Sequence, residues 1–199
     1  MYFLDIRLLF FLLVFISFNS MAYEEANYTL VYKNDIYEIR NYSDRLAIQV
    51  SYSNQSDGFR KLFNYISGSN INSKKINMTT PVTQSNEFSM TTPITESNQN
   101  ELKVMQFFLP SNFTINNAPL PIDKEVKLVI IEQGYFAVKQ YSGPLSDKNF
   151  ERHRNILQNN LLKDDIKILS SGIKAIYNGP FTLPFLRRNE AMYRIVWDK

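Results

Sequence analysis

The chain of 199 residues holds one histidine, His153, and no cysteine. That inventory removes disulfides, thiolate metal sites, cysteine nucleophiles and covalent cofactor attachment through paired cysteines. One imidazole cannot build a zinc or transition-metal cluster either. A serine nucleophile would have to centre on His153, and no Gly-x-Ser-x-Gly turn is present to present one. Asp35, Glu38, Asp123 and Glu190 fall at no spacing that pairs two carboxylates, so they read as surface or sheet-edge charges. No glycine-rich phosphate loop precedes a helix. The chemistry left open is binding without catalysis.

Aromatic side chains are the resource for binding. There are 15 Phe and 12 Tyr against one Trp, enough for a tightly packed β core or an aromatic-lined pocket. Phe59 and Phe63 stand four residues apart, on one face of a helix if the segment is helical, with Arg60 between them. Tyr65, Tyr177, Phe181, Arg187 and Arg188 form a second group. The last four flank a proline-rich stretch, as a pocket lip often does, and an arginine there can pair with a ligand carboxylate. The alternative for both arginines is a contact with Glu190 or a sheet edge. His153 lies three residues after Phe150 and four before Leu157, which makes it a neutral core imidazole or a single nitrogen ligand to iron.

The elements that must position these residues follow from periodicity. Leu46, Ile48, Val50 and Tyr52 alternate with small or polar residues, so Leu46–Tyr52 reads as a strand paired with Asp35–Arg40. Phe59, Leu62, Phe63 and Ile66 form one apolar stripe of a helix over Gly58–Ser67. Ser56 or Asp57 can cap it, and Gly68 stands at the C′ position. Leu102–Leu109 is a nearly continuous apolar strand. Val126–Ile131 and Tyr135–Tyr141 read as a second strand pair, followed by a helix over Asp147–Leu162 and strands at Ile173–Tyr177 and Ala191–Trp197. The segment Asn112–Asp123, with Pro119 and Pro121, reads as a surface crossover. The pattern occurs twice, so the expected fold is α+β: duplicated strand-strand-helix-strand repeats (about 27–111 and 123–196) forming a large twisted, barrel-like antiparallel sheet with two packed helices.

Four segments also carry a family likeness. Ile76-Asn-Met-Thr-Thr-Pro-Val-Thr83 returns as Phe88-Ser-Met-Thr-Thr-Pro-Ile-Thr95, and each copy reads as extended chain that cannot run on as a central strand or a helix. With Tyr37-Glu-Ile-Arg-Asn-Tyr42, Gly58-Phe-Arg-Lys-Leu-Phe-Asn-Tyr-Ile-Ser-Gly68 and Arg187-Arg-Asn-Glu190, in that order, the chain resembles the SOUL family of heme-binding proteins from Tyr28 to Val196. The resemblance implies an α+β fold and non-covalent binding of heme or another tetrapyrrole, as carrier, buffer or sensor. It places the family's histidine ligand at Asn41, which cannot ligate iron. The implied contacts are therefore apolar and ionic: Phe59, Arg60, Phe63, Tyr177, Phe181 and Arg187, with His153 as the remaining axial candidate. The alternative is an apolar small-ligand or protein-interaction module on the same duplicated fold. That architecture also resembles bacterial effector-binding domains.

The N-terminus reads as an address. Arg7 precedes the apolar run Leu8–Phe18, and Ser20 and Ala22 suit a signal peptidase, so residues 1–22 read as a signal peptide and 23–199 as the mature domain. The run is shorter than the ~20 apolar residues a membrane span needs, so no stable anchor is expected after cleavage. The expected location is secreted or periplasmic. Cleavage removes one Asp and one Arg and leaves the net charge at +3. The scattered cations form no stripe, which argues against nucleic acid. Oligomeric state is left open by the sequence.

Overall fold

The computed structural model describes residues 23–86 and 103–198. Residues 1–22, expected to be a signal peptide, and the second Met-Thr-Thr-Pro copy lie outside the described residues. Among the described residues, eleven strands and two α-helices follow one another. They are β1 (Glu24–Glu25), β2 (Tyr28–Lys33), β3 (Glu38–Tyr42), β4 (Arg45–Tyr52), α1 (Gln55–Ile66), β5 (Thr79–Thr80) and β6 (Val82–Asn86). After them come β7 (Lys103–Phe108), β8 (Lys127–Ile131), β9 (Gly134–Tyr141), α2 (Asp147–Lys163), β10 (Ile173–Ile176) and β11 (Asn189–Ile195). The fold is α+β. Nine strands make one curled antiparallel sheet, a half-barrel, in the order β2-β3-β9-β11-β10-β6-β7-β4-β8, and β1 pairs in parallel with β5 beside it.

The strand pairing differs from the reading of local hairpins. Leu46–Tyr52 does not pair with the strand before it. β3 pairs with β2 and β9, while β4 pairs with β7 and β8. The second expected pair is exchanged in the same way, because β8 lies on β4 and β9 lies between β3 and β11. Ser43 and Asp44 link β3 to β4, and Glu132 and Gln133 link β8 to β9, so each short link carries the chain across instead of back. The two links touch, since the Gln133 N–H donates to Asp44 Oδ1 at 2.6 Å. Links this short force two distant parts of the sheet together, and that contact curls it.

Alternation sorts each strand between two faces. One face packs on the helices. Ile48, Val50, Met105, Phe107 and Leu62 form the core under α1, and Ile39, Ala137, Tyr193, Leu157 and Leu161 form the core under α2. The other face is the inside of the curl. It mixes Tyr42, Phe136, Val138 and Met192 with buried polar groups, among them Arg40, Thr83 and Glu190.

Both helices are capped. α1 begins three residues before the expected Gly58, because Asn54 Oδ1 accepts from the Ser56 and Asp57 N–H groups. Its end is as read, with Gly68 at φ +114, a conformation that disfavours a side chain. Gly58 is where the helix touches the sheet, since a Cβ there would stand 2.9 Å from Tyr52 Cγ. α2 begins at the expected Asp147, capped by Ser146 Oγ, which accepts from Asn149 N–H.

The first Met-Thr-Thr-Pro copy corrects a second expectation. Thr79–Thr80 are the short strand β5, the Thr80–Pro81 peptide is cis, and Val82 then enters a central strand, between β10 and β7. Pro81 stands just outside that strand, so its missing N–H removes no ladder bond.

Candidate functional site

The exposed side of α1 carries two stacked phenyl rings. Phe59 and Phe63 lie with centroids 6.0 Å apart and an interplanar angle of 13°. The Phe59 edge meets Phe107 at 5.3 Å, which ties the pair to the core. Leu62, Tyr65 and Ile66 are buried on the neighbouring stripe. The geometry thus assigns the stripe's Leu62 and Ile66 to packing and its two phenylalanines to the rim.

Phe63 forms part of a groove of about 1010 Å³, which Phe59 does not line directly. Its walls come from four separate segments: the end of α1 (Phe63, Ile66), the approach to β5 (Lys74–Met78), the loop after β7 (Pro110, Phe113) and the N-terminal Tyr23 and Glu24. Met78 and Phe113 pack on the α1 core from the groove side. Lys74 Nζ sits 4.7 Å above the Phe113 ring, a cation held over an aromatic wall. Lys75 stands beside it. Tyr65 donates its hydroxyl to Pro119 O at 2.7 Å and fixes the crossover loop to the helix. Burial raises its pKa to about 12.

Arg60 does not line the groove. It is exposed on the helix and pairs with Asp57 at 2.5 Å. The second group of expected residues divides. Tyr177 is a member of a charge network on the inner face of the curl, where its hydroxyl donates to Glu190 Oε2 at 2.7 Å. Burial and that carboxylate push its pKa far up. Arg188 lies 3.8 Å over the Tyr177 ring and bonds both Glu190 and Glu25, which is the Glu190 contact weighed from the sequence. Arg187 is a brace within its own loop, donating from Nε to Thr182 O and from Nη2 to Pro180 O. Phe181 projects into water.

The two groups nevertheless share one end of the sheet. Asn189, Ile176, Val82 and Phe107 lie in one row across four strands. Glu25, next to the groove residue Glu24, holds Arg188 at 2.9 Å.

His153 lies elsewhere. Its ring stacks on Tyr141 at 4.3 Å, and its Nδ1 is buried with no hydrogen-bond partner. Burial, with Arg152 and Lys139 nearby, lowers its pKa. Asn41 sits on β3, paired with Thr29 and Tyr135. Neither residue lines the groove.

Sequence reasoning missed Lys74, Lys75, Met78 and Phe113. Met78 could have been found, since it belongs to the Met-Thr-Thr-Pro motif. The others come from segments with no periodicity. Arg45 was also missed. Its guanidinium lies 4.2 Å over Tyr42 and 4.3 Å over Phe108, with Nε unbonded, and burial lowers its pKa.

Residues 23–194 match the family described as SOUL heme-binding protein. The chain belongs to the SOUL heme-binding family. Heme is the ligand that gives this binding family its name. No curated protein matches the chain. Solved structures resemble it at low identity. An uncharacterized conserved protein from Listeria innocua is 11% identical, with 81% of this chain and 92% of that one covered and a TM-score of 0.55. A hydrolase from Listeria innocua is 10% identical, with 83% and 94% covered and a TM-score of 0.56. The EcmrR C-terminal domain is 10% identical, with 85% and 98% covered and a TM-score of 0.57. At these identities the likeness is one of fold alone. No histidine is among the residues that line the groove beside α1.

Proposed function

We propose that this SOUL protein binds heme or another tetrapyrrole non-covalently in the groove beside α1, as an extracytoplasmic carrier, buffer or sensor with no chemistry of its own. The observation that carries the reading is the groove itself: a broad apolar wall of Phe63, Ile66, Met78 and Phe113 with Lys74 and Lys75 on it. A flat macrocycle with acidic side chains is apolar over its faces and anionic at one edge, and both surfaces find partners here. Burial of apolar area at about 25 cal/mol per Å² gives micromolar affinity without an iron bond. Lys74 and Lys75 are the cations that meet the propionates. Phe59 stacks on Phe63 beside the wall. The apolar run Leu8–Phe18 supports export, and the full absence of cysteine fits a compartment where the core alone holds the fold.

A second reading, an apolar small ligand other than a tetrapyrrole, draws on the position of His153. The lone imidazole stacks on Tyr141 and does not line the groove, so nothing in the site demands iron.

Titration of the chain from Tyr23 onward with hemin and metal-free protoporphyrin tests the proposal. Phe63→Ala should weaken both by a similar factor, Lys74→Glu with Lys75→Glu should weaken both further, and His153→Ala should change neither. Loss of hemin alone in His153→Ala, with a changed absorbance spectrum, would make His153 an axial ligand. Failure of both tetrapyrroles to bind would leave the apolar-ligand reading.

A further inference from the structure

Four large apolar side chains stand in water on the loop between β10 and β11. Phe181 is 98% exposed, Leu183 55%, Phe185 71% and Leu186 64%. The loop is braced from within. Pro184–Leu186 form a turn of 3-10 helix, and Arg187 donates to Thr182 O at 2.7 Å and to Pro180 O at 2.6 Å. The Arg188 N–H closes the base of the loop by donating to Asn178 Oδ1 at 2.6 Å, and one bond fastens the loop to the body, from the Gly143 N–H to Pro184 O at 2.9 Å. A tip held this way cannot fold its side chains inward. Its exposure is built into the fold, and an apolar patch kept in water marks an interaction surface.

Shape and charge select the partner. A peptide or a partner helix docks into a concavity, whereas Phe181 is almost wholly free of protein contact and projects outward. A projecting apolar tip suits a medium it can sink into, with cations at its base to meet anionic headgroups. Such cations are present. Arg187 is at the base of the loop, and Lys74 and Lys75 line the groove whose Glu24 neighbours the Arg188 partner Glu25.

We infer that the Phe181–Leu186 tip docks the protein on an anionic lipid surface. Phe181, Leu183, Phe185 and Leu186 enter the interface, and Arg187 at the base of the loop faces the headgroup phosphates. The contact is peripheral and reversible, since none of the described helices is long and apolar enough to cross a membrane. It needs no tetrapyrrole, so bare vesicles test it independently of the groove.

The test is flotation of the chain from Tyr23 onward, which contains every described element, with vesicles of phosphatidylcholine and phosphatidylglycerol. The chain should float with them, less so with phosphatidylcholine alone, and Phe181→Ser with Phe185→Ser should reduce the bound fraction by about tenfold or more. Both rings are exposed, so the denaturant midpoint should not move. A second measurement stands if it does. The chain has no cysteine, so Thr182→Cys takes a single environment-sensitive dye, whose emission should shift to the blue when the anionic vesicles are added. A chain that does not float, a double variant that floats as well as the parent, or a dye that stays in water would overturn the inference. Self-association of the parent that the double variant abolishes, without flotation, would assign the tip to a second copy of the chain and overturn it equally.

Discussion

Arg40 and Glu190 lie 150 residues apart and meet in the interior, with Nη1 of the arginine 3.1 Å from each carboxylate oxygen. Glu190 also accepts from Tyr177 and Arg188, and Arg40 reaches back to Glu38 at 2.7 Å. Burial pulls the Arg40 pKa down, but Glu190, Tyr42 and Glu38 outweigh it and raise it. The pair joins the Tyr37–Tyr42 motif to the Arg187–Glu190 motif. Two of the four segments that signalled the family in sequence are therefore two halves of one charge network on the inner face of the sheet.

Loss of one partner should be costly. Arg40→Met leaves Glu190 buried with Arg188 and Tyr177 as its remaining partners, and the expected loss is about 3 kcal/mol, the lower end for a broken buried pair. Urea unfolding of the variant measures it. The loss should change little between low and high salt, because buried charges are poorly screened. A loss under about 1 kcal/mol would mean that Arg188 and Tyr177 together satisfy the carboxylate.

The core under α1 gives a second test. Leu62 is fully buried between α1 and the sheet. Leu62→Ala should lower stability by about 2–5 kcal/mol, with the denaturant midpoint as readout. Phe63→Ala, one residue on, should cost much less stability while it weakens ligand binding. Equal midpoints for the two variants would contradict the division between packing stripe and groove rim.

His153 should show itself in the acid range. Its folded-state pKa lies below the ordinary 6.5 through burial and through Arg152 and Lys139. Below that value the unfolded chain binds the proton more readily than the folded one. The contribution is thus complete above the unfolded pKa and is lost as pH falls from there through the folded pKa. His153→Phe keeps a ring against Tyr141 and removes the proton site. Its melting temperature should fall less than that of the parent between about pH 7 and about pH 5. Parallel pH curves for the two proteins would show that the imidazole is not the responsible group.

The elements were legible in the sequence wherever their cause is local. The stripe of Phe59, Leu62, Phe63 and Ile66 marks a helix because apolar side chains at those spacings share one face. Gly68 ends it because few other residues take its positive φ. The alternation of Leu46 to Tyr52 marks a strand for the same kind of reason. Asn54 was the missed local signal, and it moved the helix start to Gln55 through two hydrogen bonds of its side chain.

Partners were not legible, because pairing is decided between segments distant in sequence. Ser43 and Asp44 look like a hairpin turn, and a two-residue link fits one equally well. Only the curl of the whole sheet sends β3 to β9 and β4 to β8, across the contact of Asp44 with Gln133. The groove is a product of the same closure. Phe63 could be named from the helix that carries it, but Lys74, Met78, Phe113 and Tyr23 face it only once β5, the loop after β7 and the N-terminal strand are brought to one end of the sheet. The sequence by itself determined the helices, most of the strands, the family and the lack of cysteine chemistry, since each rests on residue types at short spacing. The tertiary structure alone decided which face of α1 borders the groove, that Tyr177 and Arg188 serve a buried network, and that Phe181 is left in water, because burial and pairing belong to the packed chain and not to any one segment.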